Sequence, residues 1–169
     1  AAAAGGCMLV NCQDLEKVGG LKNIKAAIID DCALAMLLKQ ANPIWLGLTQ
    51  STKSLRKYNS LSDISQMVSR TAFVQLNYSV LNLFIAVIGM LIIYIIPVVS
   101  ILIGVLTEET SLFVLGLMGA ITMFFAYAPT LTLYNRPIWE ASFLPISALL
   151  YSAMTVISAW RDMFGRGPI

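Results

Sequence analysis

Histidine is absent from the 169 residues, and with it go Ser-His-Asp triads, Cys-His dyads and His-ligated metal centres. Charge is scarce as well: 12% of residues are charged and 58% hydrophobic, far from the balance of a soluble domain. A chain so composed is a membrane protein. The only cysteines are Cys7, Cys12 and Cys32. Their odd number and lack of C-x-x-C spacing point to neither a zinc site nor a disulfide framework, and fit a reduced, cytosol-facing region. No segment repeats at a period of 20 to 50 residues and no ionisable residue falls in mid-span, which argues against a transporter, pump or channel. The opening Ala1 to Gly6 has neither an initiator Met nor the basic and apolar regions of a signal peptide, so the chain is expected to be entered partway through.

What charge there is lies unevenly. Eight of the eleven basic residues and five of the nine acids fall in residues 1–70, which are net +3 against −1 for the rest. From Tyr78 to Leu106 no charge occurs; at 1.5 Å per residue this run would reach about 43 Å, more than the roughly 30 Å of a hydrocarbon core. It must tilt, kink at Pro97, or leave one end in the interface. Thr107-Glu108-Glu109-Thr110 reads as a tight acidic turn on the far side, Ser111 to Tyr134 as a second span bent or ended near Pro129, and Ala141 to Trp160 as a third, after a short loop with Arg136 and Trp139. Three spans place Arg161 and Arg166 outside, against the positive-inside rule, so one segment being re-entrant is the alternative.

Ahead of the spans, Gly6 to Val10 and Ile44 to Leu48 read as buried strands. Asn11 can cap a short helix that Gly19-Gly20 ends, because glycine accepts the left-handed backbone needed there. A second helix is expected from about Asp30 to Gln40, with Leu34, Leu37 and Leu38 on its buried stripe. Asp30 and Asp31 face the positive end of its dipole, and capping alone would place them there. Gln50 to Asn59 is a polar, basic loop suited to anionic headgroups. Ser60-x-x-Asp63 resembles a capping box and opens an amphipathic helix with Leu61, Ile64, Met67, Val68, Ala72 and Leu76 on its apolar face and Ser69 and Arg70 elsewhere. Directly before a span, such a helix is expected to lie in the membrane interface, unless it is an ordinary surface helix of the head.

Gly5-Gly6-Cys7-Met8, Val18-Gly19-Gly20-Leu21 and Asp30-Asp31-Cys32-Ala33-Leu34, in that order, resemble the second half of a family 2 glycosyltransferase catalytic domain. Within that family the likeness is to the hopene-associated glycosyltransferases of bacterial hopanoid synthesis, carried by Ile29 to Ala35, Pro43 to Thr49 and Met67 to Phe73. The resemblance implies an α/β, partial GT-A-like half over 1–58, an interfacial helix over 59–77, an all-α transmembrane region over 78–160 with spans at about 78–106, 111–134 and 141–160, and a tail over 161–169. It assigns Asp31 as general base, Asp30 as the neighbouring acid of the motif, Gly5 and Gly6 as acceptor-side backbone, and Arg70 to a diphosphate or a lipid phosphate. The family's Gln-x-x-Arg-Trp motif is matched at Arg70 alone. Gly165-Arg166-Gly167 resembles the family's C-terminal end.

The family's nucleotide-binding βαβ half and its Asp-x-Asp metal motif have no counterpart in the sequence. The chain is therefore expected to be the C-terminal portion of an inverting glycosyltransferase of the bacterial inner membrane, its head cytoplasmic, and to be inactive alone. The full enzyme would move a sugar from a nucleotide-sugar donor to a membrane lipid, a hopanoid among the candidates. Mg²⁺ or Mn²⁺ would be held by ligands outside this chain, and no nucleic-acid partner is expected. The rival from another class is a non-enzymatic membrane subunit or assembly factor whose head docks a partner.

Overall fold

The computed structural model describes residues 3–53, 55 and 58–165. The chain divides into two compact units, residues 1–61 and 62–169.

In the first unit, α1 (Cys12–Lys17) starts where the Asn11 side chain accepts the Gln13 N–H at 2.9 Å, and Lys17 pairs with Asp14 at 2.8 Å. Gly19 and Gly20 carry φ of +84° and +72°, the left-handed values expected of them. At Gly19 space also matters, since a Cβ would stand 2.6 Å from Asn23 Nδ2, which donates to the Val18 carbonyl. A 3₁₀ turn (Gly20–Ile24) leads to α2 (Asp30–Ala41), which buries Leu34, Ala35 and Leu38, while Leu37 is half-buried.

The α/β expectation fails here: among the described residues every regular element is helical. Neither Gly6 to Val10 nor Ile44 to Leu48 forms a strand. Each is a lone apolar run of five residues, and a strand becomes stable only when neighbours complete its hydrogen-bond ladder and cover its face. Without such neighbours the runs stay irregular, with Leu9 fully exposed and Trp45 86% exposed. The Trp45 ring folds back over Gly47, where a Cβ would collide with it. The basic loop reading of Gln50 to Asn59 falls partly on Ser54, Arg56 and Lys57, outside the described residues, as do Arg166 and Gly167 of the tail.

The second unit is built on α3 (Leu61–Gln75) and three helical segments long and apolar enough to cross a membrane, Val80–Leu106, Thr110–Leu133 and Ile138–Met163. The buried face of α3 holds Val68, Ser69 and Phe73, so it is turned from the expected stripe, and Leu61 is exposed. Phe73, the bulkiest apolar side chain of α3, sets that rotation. Its backbone N–H donates to the buried Ser158 hydroxyl at 3.1 Å, and its ring meets Tyr78 edge-on at 5.7 Å. Asn77 and Tyr78 turn the chain with φ of +54° and +55°, and Ser79 then caps the first span through the Asn82 N–H.

The first span is α4 (Val80–Met90), a π turn (Leu91–Ile95) and α5 (Ile96–Leu106). Pro97 is the physical reason for the π turn: it lacks an N–H, and its ring collides with the carbonyl four residues back, so the ladder widens ahead of it. Around this break α4 packs on α7 (Leu144–Met163), whereas α5 packs on α6 (Thr110–Leu133). The α5–α6 hairpin turns at Thr107–Glu109, with Glu108 at φ +57°, and closes tightly because its contact residues lack side chains. A Cβ on Gly104 would stand 2.5 Å from the Phe113 nitrogen, and one on Gly116 2.8 Å from both the Ile101 nitrogen and the Pro97 carbonyl. In lipid, where burial of apolar surface does not drive helices together, such backbone approach is the main source of association. Helix α6 continues through Pro129 to Leu133.

A 3₁₀ segment (Ile138–Phe143) begins the third span. Trp139 meets Phe143 edge-on near one end, and Trp160 lies tilted against Phe164 near the other. The two tryptophans are separated by about 31 Å of helix, close to the thickness of a hydrocarbon core. Indoles belong at the two interfaces, so this chain is a multi-pass membrane protein by length, composition and aromatic placement alike.

Candidate functional site

Asp31 sits in the first turn of α2, half-buried, and its carboxylate ties together two parts of the chain. Oδ1 accepts the Cys32 N–H at 2.7 Å, and Oδ2 accepts the Gly5 N–H at 2.8 Å, from 26 residues upstream. Gly5 fits closely at that spot: a Cβ there would lie 3.1 Å from Oδ2 and 3.2 Å from the Asp31 Cβ, so the Asp31 side chain would have to shift by a few tenths of an ångström. Gly6 meets nothing within 4 Å. Asp30 is exposed, and its Oδ1 accepts the Asp31 N–H at 2.9 Å. Each acid thus accepts the N–H of the residue after it, while the N-cap position is Ile29, which has no side-chain cap bond, and only Asp31 also holds a remote segment. A carboxylate offers about four acceptor positions. Two are used at Asp31, and the remaining lone pairs are open to a hydroxyl.

Arg70 lies exposed on α3, in the other unit, and its guanidinium makes no hydrogen bond or ion pair to a described residue. A planar guanidinium held on a helix and unpaired is suited to an oxyanion. Asp14 is held below its usual carboxylate value by the Lys17 hydrogen bond and then by the Asn42 side chain. Arg136, in the loop between the second and third spans, is raised above its usual value by its bidentate pairing with Glu140, whose Oε2 stands 3.0 Å from Nε. Among the described residues no three His, Cys, Asp or Glu side chains gather. The described residues do not make a donor set for Mg²⁺ or Mn²⁺.

One further feature was not legible from the sequence. A recess of about 450 Å³ opens at the π turn and Pro97, lined among others by Ile92, Tyr94, Pro97, Gly119, Thr122 and Tyr127. Gly119 makes room for it beside Pro97, since a Cβ there would meet the proline ring at 3.0 Å. Thr122 donates its hydroxyl to the Met118 carbonyl at 2.8 Å, whereas neither phenol bonds to a described residue. In sequence an aromatic residue within a span reads as packing or anchoring, and only the π turn brings these side chains around one space. No family model, no curated protein and no solved structure matches this chain.

Proposed function

We propose that this chain forms the membrane-anchored, acceptor-side part of an inverting glycosyltransferase, with Asp31 as the base that takes the proton from a lipid hydroxyl. The observation that carries the reading is the Gly5–Asp31 hydrogen bond. It joins the two stretches whose order the resemblance rests on, and it fixes a carboxylate that retains free lone pairs. In such a transfer the lipid hydroxyl attacks the anomeric carbon of a nucleotide sugar from the face opposite the diphosphate. The C–O bond to the acceptor forms as the bond to the diphosphate breaks, and Asp31 receives the proton. Three spans bring the acceptor by lateral diffusion, and Arg70, in the second unit, offers positive charge for a lipid phosphate. The donor site belongs to chain beyond these residues, and the acceptor, a hopanoid included, is a lipid with a free hydroxyl.

Asp31→Asn in the intact gene product tests this, read as transfer of labelled sugar from nucleotide sugars into the lipid extract of membranes. Asparagine has one acceptor oxygen where Asp31 uses two, so the substitution also breaks one bridge, at a cost of about 1 kcal/mol, or roughly fivefold. Loss of a general base costs about 10²- to 10⁴-fold. A fall in that larger range, with Asp30→Asn retaining most activity, is expected. A fivefold fall would reduce Asp31 to a structural clasp.

A second reading, a docking subunit without catalysis, is favoured by one observation: Leu9, Trp45 and Leu55 of the first unit are almost fully exposed. Exposed apolar side chains mark an interaction site where they join into one patch. Under that reading Asp31→Asn leaves all transfer intact, and Trp45→Ser releases a co-purifying protein.

A further inference from the structure

We infer that the recess at the π turn binds the hydrocarbon body of a neutral lipid alcohol, whose hydroxyl hydrogen-bonds the phenol of Tyr127. Three observations converge on this occupant. The recess lies between segments that cross the membrane, so what reaches it comes from the bilayer, and its volume falls within the range of small-molecule sites. Its lining holds no Asp, Glu, Lys or Arg, which excludes a charged headgroup. It holds two phenols without a partner among the described residues, and an unsatisfied polar group in hydrocarbon is costly.

Depth sorts the two phenols. Tyr127 is six residues, about 9 Å, from the Leu133 end of α6, near the level at which a lipid alcohol carries its oxygen. Tyr94 is twelve residues, about 18 Å, from the Leu106 end of its span, close to mid-membrane. A lipid alcohol entering beside Tyr127 would lay its apolar body over Pro97 and Gly119 toward Tyr94. A phospholipid acyl chain could fill the same volume, but it would leave the Tyr127 phenol unpaired. This inference uses no residue of the first unit and stands apart from the role of Asp31.

The test uses the full chain in phosphatidylcholine nanodiscs with two photoreactive probes, a diazirine-bearing geranylgeraniol and a diazirine-bearing phosphatidylcholine. Saturable labelling of residues 92–97 and 119–127 by the alcohol is expected, competed by unlabelled geranylgeraniol and unaffected by Asp31→Asn. In Tyr94→Phe/Tyr127→Phe, which removes two hydroxyls and no packing atom of the rings, the alcohol's affinity should fall at least about tenfold. Gly119→Leu should abolish the labelling by filling the recess, and the double Phe variant decides the matter should Gly119→Leu not fold. Non-saturable labelling at the level of the phosphatidylcholine probe, or unchanged affinity in the double variant, would overturn the inference.

Discussion

The two units carry similar apolar side chains into different solvents. In residues 62–169 exposed Leu, Ile and Phe side chains face lipid, and the helices meet through glycines and a few buried side chains, Phe73, Leu131 and Met154 among them. In residues 1–61 the helices are short, the buried apolar core is Leu34, Ala35 and Leu38, and Trp45 and Leu9 stand in the open. Exposure of an apolar side chain is therefore ordinary in one unit and unresolved in the other. The membrane unit is complete with the bilayer as its surroundings, whereas the first unit has more apolar surface than its own core can cover. The same contrast explains the missing strands, because helices satisfy their backbone internally and a strand needs a neighbour.

The sharpest way to break this comparison is to remove one large side chain from each unit. Phe73→Ala, at a position 3% exposed, should cost about 3–5 kcal/mol of stability, while Trp45→Ala, 86% exposed, should stay within about 0.5 kcal/mol. Denaturant titration in detergent, followed by helical signal, measures both, and a large cost at Trp45 would mean that the first unit has a core around it. Next in size is the glycine contact. Gly116→Ala drives a methyl into backbone of the facing helix and should cost about 1–3 kcal/mol, whereas Gly89→Ala, with nothing within 4 Å, should be neutral or stabilising by up to about 1 kcal/mol. Equal effects at the two sites, in the same titration, would remove backbone approach as the clamp of the hairpin.

The smallest effect belongs to the exposed pair in α1. The carboxyl of Asp14 is held below its ordinary 3.8 by Lys17, so the stabilisation it lends is complete above that pH and is lost as pH falls through the lower folded value. Amide exchange of α1 should therefore speed up only below about pH 4, relative to the rest of the unit. Lys17→Met should shrink that step and speed α1 exchange at pH 6, where the parent's pair is intact. Because Lys17 is largely exposed and its charge screened, the rest of the unit should not respond.

The elements with local causes were legible in the sequence. Asn11 and Gly19-Gly20 bracket α1, Asp30 opens α2, Pro97 marks the break in the first span, and charge-free runs mark the spans, because each depends on residues within a turn or two. Features that depend on distant partners were not. The apolar runs at 6–10 and 44–48 looked like strands because periodicity reports burial and not the neighbour that a ladder needs. Ser69 was placed on the polar side of α3 because the wheel cannot know that the Phe73 N–H will donate to Ser158 on a distant helix. At the candidate site the acid pair could be named, but the Gly5 N–H that separates Asp31 from Asp30 closes a loop of 26 residues that no local rule specifies.

The π turn has a consequence for how the first span tolerates change. A wide turn holds one residue more than an α turn, and one residue is about 100° of rotation about the axis. The two halves of the span are thereby set out of phase, so that α4 addresses α7 while α5 addresses α6. Removing a single residue between Leu91 and Ile95 would leave the segment just as apolar and nearly as long, yet it would point one half at the wrong neighbour. The span is thus insensitive to which apolar residue stands at a position and intolerant of how many there are.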